Sequence, residues 1–190
     1  GGVVRSGAAV TLIERDGRLA RRLGVLFAGH PEVTVVERDA LRVRPEELVG
    51  KGRLKVVGNL PYSVSTPLIR MLTDPLVPVR LLVFGLQREV ADRLAASPGS
   101  RDYGSLTAVV QRTWRVERLL EIPASAYVPR PAVESTLVKL EPRPPSEISP
   151  VDVLRYEQVL RRGFSQRRKM LRNLLGLSRA EWEAVAAEIG

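Results

Sequence analysis

Residues 8–39 read AAVTLIERDGRLARRLGVLFAGHPEVTVVERD, and this stretch decides the fold class. Ala8 to Ile13 is a short apolar run closing on Glu14. Asp16 to Leu26 then shows helical spacing at Leu19, Leu23 and Leu26, and Val33 to Val36 is a second apolar run closing on Glu37 to Asp39. The order is strand, helix, strand. It continues with Arg53 to Val57 and Leu81 to Leu86 as strands, and with Thr66 to Leu72 between them as a helix opened by the Thr66-Pro67 start signal. Apolar strands alternating with helices predict a parallel sheet covered on both faces, an α/β doubly wound fold. From Leu106 the rhythm changes. Thr107 to Ile122 is rich in β-branched and apolar residues, and Val133 to Leu140 follows a Pro-interrupted loop, so an antiparallel pair at the sheet edge is expected. Glu141 to Pro150 holds four prolines in ten residues and reads as a linker. Beyond it, Val151 to Leu177 and Ser178 to Ile189 read as two helices, with Ser178 capping the second and Glu181 at capping-box spacing.

Composition narrows the function. The 190 residues suit one full domain with a small appendage, and 44% hydrophobic with 27% charged residues is globular. No apolar run approaches the ~20 residues of a membrane span. The absence of cysteine excludes disulfides, thiolate metal sites and thiol catalysis, and the single histidine, His30, cannot build a triad or a metal cage alone. The first residues lack the pattern of a signal peptide, so a cytoplasmic location is expected. Thirty basic residues against 21 acidic ones give a net charge of +9, which points to phosphate backbones. The densest run, Arg161 to Arg172 (RRGFSQRRKMLR), carries six positive residues and no negative one.

In open α/β sheets ligands bind beyond the carboxyl ends of the strands, where Glu14, Asp39 and Asn59 stand in this sequence. A carboxylate at Glu14 can accept both hydroxyls of a ribose, and one at Asp39 can accept from a purine amine. Taken singly, each is as readily a helix cap. More specific is Gly58-Asn59-Leu60-Pro61-Tyr62, directly after a strand expected to be buried. Pro61 fixes its own φ and biases Leu60 toward an extended shape, making a stiff loop. Such a loop can aim the Asn59 side-chain oxygen and the Leu60 carbonyl at one point, with Tyr62 offering a flat face beside them. Two acceptors next to a stacking surface suit an exocyclic adenine amine, whose lone pair must be localised before it attacks.

Seven segments in order, VTLIERD (10–16), ERDAL (37–41), VGNLPYSVSTPLI (57–69), QREVADRL (87–94), YGSLT (103–107), AYVPRPAVES (126–135) and FSQRRKMLRNL (164–174), resemble the adenine-N6 rRNA dimethyltransferases of the KsgA/Erm family. The resemblance implies a Rossmann-like class I methyltransferase domain over residues 1–142, a linker over 143–150 and a small helical domain over 151–190. It implies that Glu14 holds the ribose of S-adenosylmethionine, that Asp39 meets its adenine, and that Asn59, Leu60, Pro61 and Tyr62 form the catalytic loop, Asn59 also bordering the cofactor. Tyr127 matches a family aromatic that packs on the target base opposite Tyr62. Arg167, Arg168 and Lys169 match an rRNA-backbone contact. Gln87, Arg88 and Glu89 are left between a structural and an RNA-contact role.

The family's glycine-rich loop falls before residue 1 by its spacing, and the helical domain stops after its second helix, so the sequence reads as a fragment. The implied reaction moves methyl groups in line from S-adenosylmethionine, without metal, to N6 of two adjacent adenines in the 3′-terminal hairpin of small-subunit (16S) rRNA, during ribosome biogenesis. The expected partner is the immature small subunit, and the expected state is a monomer. Leu60, the S-T-P-L-I run at 65–69 and the Q-R-R-K-x-L-R-N-L run favour this branch over an Erm-type large-subunit (23S) methyltransferase. A non-catalytic rRNA-binding assembly factor is the reading from another class, and a DNA adenine methyltransferase is disfavoured by Leu60-Pro61-Tyr62.

Overall fold

The computed structural model describes residues 8–48, 52–166 and 169–189, and the chain divides into two compact units, Gly1–Leu86 and Gln87–Gly190. In the first unit, strands β1 (Val10–Glu14) and β2 (Val33–Glu37) pair in parallel, with Val10 beside Val33 and Glu14 beside Glu37. Helix α1 (Gly17–Leu26) connects them. β-Branched residues dominate both strands, as a pleated surface favours. Asp16 starts α1 where the sequence places it: its carboxylate accepts the N–H groups of Arg18 (2.8 Å) and Leu19 (3.3 Å). These backbone bonds hold the Asp16 carboxyl below its ordinary pKa. A single 3-10 turn (Ala40–Arg42) and the short helix α2 (Pro45–Leu48) follow β2.

The second parallel pair is β3 (Leu54–Asn59) and β4 (Val79–Gln87), joined by helix α3 (Tyr62–Leu72), with Asn59 beside Gly85. β1 and β2 form a sheet of their own, distinct from that of β3 and β4. Val79, Leu82, Phe84 and Leu86 of β4 are fully buried, and α3 turns Leu68, Ile69 and Leu72 inward. Burying each such side chain contributes about 1.5–3 kcal/mol.

Two expectations change here. The α3 helix begins four residues before Thr66, at Tyr62, so Pro67 lies inside it rather than at its start. Pro61 is the true N-cap, its carbonyl accepting the N–H groups of Val64 and Ser65, both at 3.1 Å. Strand β3 is also not covered on both faces by the described residues. Along β3, Leu54, Val56 and Gly58 are half-buried while Lys55, Val57 and Asn59 are exposed, Val57 to 63%. That alternation is the signature of burial on one face only.

The second unit contains α4 (Arg88–Leu94), α5 (Ser105–Thr113) and the antiparallel pair β5 (Trp114–Ile122) and β6 (Ser135–Pro142). The strand expected from Thr107 therefore starts only at Trp114. Side-chain bonds hold the preceding residues in a helix despite their β propensity. Thr107 Oγ1 accepts from the Gly104 N–H (3.1 Å) and donates to the Arg93 carbonyl (2.5 Å), and Gln111 Nε2 donates to the carbonyls of Leu94 (2.8 Å) and Ala96 (3.0 Å). The Pro-rich stretch after Glu141 completes β6 and is then tied down, with Arg143 donating from its N–H to Thr113 (2.8 Å) and from Nε to Gln111 (2.9 Å).

Instead of one helix over Val151 to Leu177, the described residues form two, α6 (Val153–Gly163) and α7 (Leu171–Leu175). They pack against each other at Gly163, where a Cβ would lie 2.9 Å from Leu171 Cδ1. Gly176, at φ +73°, ends α7 in the left-handed conformation that glycine adopts readily. Helix α8 (Arg179–Ile189) carries the expected capping box: the Glu181 N–H donates to Ser178 Oγ (3.2 Å) and the Ser178 N–H to Glu181 Oε2 (2.8 Å). Among the described residues no helix is long and apolar enough to cross a membrane.

Candidate active site

The carboxyl ends of the strands in the first unit carry the acidic and amide groups that the sequence singles out. Glu14 is the last residue of β1, half-buried, and its Oε1 accepts the Asp16 N–H at 2.8 Å. This bond fixes the carboxylate's orientation and leaves most of its acceptor capacity for a ligand. Its register partner Glu37 leans over the start of α1, where a Cβ on Gly17 would lie 2.5 Å from Glu37 Oε1. Asp39, half-buried, caps the turn after β2 through the Leu41 N–H at 3.0 Å. That turn packs against α3, the helix that Tyr62 opens, so the elements after β2 and β3 meet.

Asn59 ends β3 and is exposed. Two features of Gly85 hold this segment. Its carbonyl accepts the Leu60 N–H at 3.0 Å, and its missing side chain leaves room for the Asn59 amide, since a Cβ there would lie 2.8 Å from Asn59 Oδ1. Gly58 gives similar room to Leu60, whose Cδ2 would stand 3.2 Å from an added Cβ. Pro61, at φ −60° and ψ 148°, turns the chain from the strand into α3. Tyr62, the first helical residue, is 61% exposed, while buried Ser65 donates to the Tyr62 carbonyl at 3.1 Å and locks the turn. A stiff loop therefore carries two exposed residues, Asn59 and Tyr62, within four positions. Gly85 escaped the sequence reading, although a lone glycine within an apolar strand is a recognised sign of close backbone approach.

The remaining residues lie in the second unit. Tyr127 follows a 3-10 turn (Ala124–Ala126), with extended backbone and a half-buried side chain. Arg88 and Glu89 open α4, where Arg88 bonds to Glu134 (3.1 Å) and Glu89 pairs with Arg93. These bonds engage both side chains with neighbours in the second unit. Lys169 is exposed, as are Arg161 and Arg162 in the last turn of α6; Arg167 and Arg168 lie outside the described residues.

A sequence profile of the family described as ribosomal RNA adenine dimethylase matches residues 4–189. The chain belongs to the ribosomal RNA adenine dimethylase family. Similar members include proteins named ribosomal RNA small subunit methyltransferase A. That of Bordetella bronchiseptica is 43% identical over 176 residues, covering 93% of this chain and 64% of that protein. One from Pseudomonas fluorescens is 40% identical over 190 residues, covering 98% and 70%. The chain thus spans under two thirds of the length of the first relative. Among solved structures, a dimethyladenosine transferase from Plasmodium falciparum superposes with a TM-score of 0.72 at 27% identity, over 94% of this chain and 62% of that one. The 23S rRNA methyltransferase ErmE shares the fold, with a TM-score of 0.70 at 22% identity over 87% and 65%. The fold of this family member is accordingly the Rossmann-like α/β fold of class I methyltransferases, with β5 and β6 as its antiparallel pair.

Proposed function

We propose that this chain carries the catalytic machinery of an S-adenosylmethionine-dependent enzyme that dimethylates N6 of two adjacent adenines in the 3′-terminal hairpin of small-subunit rRNA. The observation that carries the reading is the loop Asn59–Tyr62, which Gly85 and Pro61 hold with Asn59 and Tyr62 both exposed. Small-subunit rather than large-subunit rRNA is favoured by the names of the relatives and by the Leu60, S-T-P-L-I and Q-R-R-K features.

The residues at the strand ends suit the methyl donor. Glu14 would accept from its ribose hydroxyls and Asp39 from its adenine amine, the chemistry that a pair of acceptors at adjacent parallel strands offers. When bound, S-adenosylmethionine supplies a methyl group already activated on a sulfonium. The chain's own task is alignment. Asn59 Oδ1 and the Leu60 carbonyl accept from the two N–H groups of the target amine and localise its lone pair, and the nitrogen's proton passes to solvent as the new bond forms. The target base must leave its stack, and Tyr62 and Tyr127 each offer a ring to repay part of that cost. In this reading residues 1–142 form the methyltransferase domain, 143–150 a linker and 151–190 an RNA-contacting helical domain. The protein works as a monomer in the cytoplasm on immature small subunits, with Arg167, Arg168 and Lys169 on the RNA backbone.

The test is Asn59→Ala, expected to abolish transfer of labelled methyl groups while calorimetric affinity for S-adenosylmethionine stays nearly unchanged. Near-normal turnover by this variant would remove Asn59 from the mechanism.

A further inference from the structure

Arg88 stands outside the reaction just described, yet its bonds converge on the segment that carries Tyr127. That loop, residues 123–134, leaves β5 at Ile122 and enters β6 at Ser135, and these two residues are register partners. Arg88 grips its far end twice. The Arg88 N–H donates to the Glu134 carbonyl at 3.1 Å, and the Arg88 guanidinium Nη1 donates to Glu134 Oε2 at 3.1 Å. The same guanidinium faces Asp92 one turn along α4, with Nε 3.9 Å from Oδ2. Asp92 in turn accepts from Arg118 Nη1 at 2.7 Å, and Arg118 Nη2 donates to Glu121 Oε1 at 2.8 Å. Alternating charges therefore run from Glu134, at the end of the loop, through α4 to Glu121, just before its start.

An isolated exposed ion pair stabilises little, because two long side chains lose their freedom to form it. Here the main-chain bond from Arg88 already places Glu134, so the guanidinium meets a carboxylate that is in position, and each member of the network orients the next. Three prolines, Pro123, Pro129 and Pro131, restrict the loop's own torsions, so its direction is set where it is anchored. At its tip Val128 is wholly exposed.

We propose that Arg88 is a positioning residue, which fixes loop 123–134 against α4 and thereby sets the Tyr127 ring for the target base. The proposal rests on the reading of Tyr127 as a stacking residue, and its test separates the two.

In the full chain, Arg88→Ala should speed hydrogen–deuterium exchange across residues 123–134 several-fold. It should also lower kcat/KM for immature small subunits by about three- to tenfold, mostly through KM, with calorimetric affinity for S-adenosylmethionine unchanged. Arg88→Lys should recover part of the loss, and the charge-swapped pair Arg88→Glu with Glu134→Arg should recover more than either single change. A lower melting temperature with wild-type exchange at 123–134 and wild-type KM would make Arg88 merely structural and overturn the proposal. Tyr127→Ala is measured alongside. If Tyr127→Ala turns over normally, the stacking reading falls and takes the proposal with it. If Tyr127→Ala is impaired while Arg88→Ala leaves the loop and KM unchanged, the proposal alone falls.

Discussion

A carboxylate already bonded to the backbone meets a ligand in one orientation, and Glu14 has that bond, from the Asp16 N–H at 2.8 Å. Glu14→Ala is expected to weaken binding of S-adenosylmethionine by about 1–3 kcal/mol, the range for a lost charge-assisted hydrogen bond, with Glu14→Gln intermediate. Titration calorimetry checks it, and unchanged affinity would leave Glu14 as a cap for the turn into α1. Tyr62 is tested by shape. Tyr62→Phe should retain rRNA affinity, because the ring face is kept, whereas Tyr62→Ala should lose about 1–3 kcal/mol of stacking. The places of Glu14 and Asn59 at strand ends, and of Asp39 two residues past one, could be read from the sequence because apolar strands announce their own ends. Gly85 could not be assigned a part, because its contribution is room for a neighbour's amide, and no residue pattern records which neighbour that is. Tyr127 sits in a loop of irregular backbone, so only its likeness to family members singled it out.

At the scale of elements, α6 has no fully buried residue among those described, and its docking depends on a few contacts. Tyr156 Oη donates to the Ala108 carbonyl at 3.0 Å on α5, with Arg112 stacked 5.6 Å from the ring centre. Partial burial raises the Tyr156 pKa, so the hydroxyl stays protonated and able to donate. Tyr156→Phe should cost about 0.5–1.5 kcal/mol and quicken hydrogen exchange over residues 153–163 more than elsewhere. The cap of α1 responds to pH. The Asp16 carboxyl is depressed by the Arg18 and Leu19 N–H groups, so its contribution is complete above the unfolded pKa and is lost as pH falls through the lower folded value. Asp16→Asn keeps an acceptor at the cap without the charge. Its melting temperature should lie below that of the parent at neutral pH and converge with it in acid. Strong periodicity made β1, α1, β2 and β4 legible, and the Ser178 capping box fixed the start of α8. Legibility failed where tertiary bonds outweighed local preference. Thr107 to Thr113 form a helix because Thr107 and Gln111 satisfy carbonyls at the end of α4. The α6 and α7 segments part where Gly163 lets Leu171 approach, a contact that helical spacing alone does not register.

For the whole molecule, the excess of nine positive charges has its densest expression in Arg161 to Arg172, six cations without a carboxylate. If these residues line an rRNA backbone, neutralising Arg167, Arg168 and Lys169 together should weaken binding to RNAs of any sequence alike, because phosphates carry no base identity. Each lost phosphate contact should reduce the salt slope of log affinity by about 0.7–0.9, so the triple variant should flatten it by roughly two to three units. Binding of S-adenosylmethionine should be untouched, which separates loss of RNA contact from loss of fold. A slope unchanged in the triple variant would make the cluster a solvated surface and move the RNA contact to other cations. The same protein, offered immature small subunits and separately protein-free large-subunit rRNA, should label only the former, leaving two adjacent dimethyladenines. Label in the large-subunit RNA would shift the assignment to the Erm branch. Tight, salt-sensitive binding without label on either RNA would mark a protein that holds rRNA through its charge but does not methylate it.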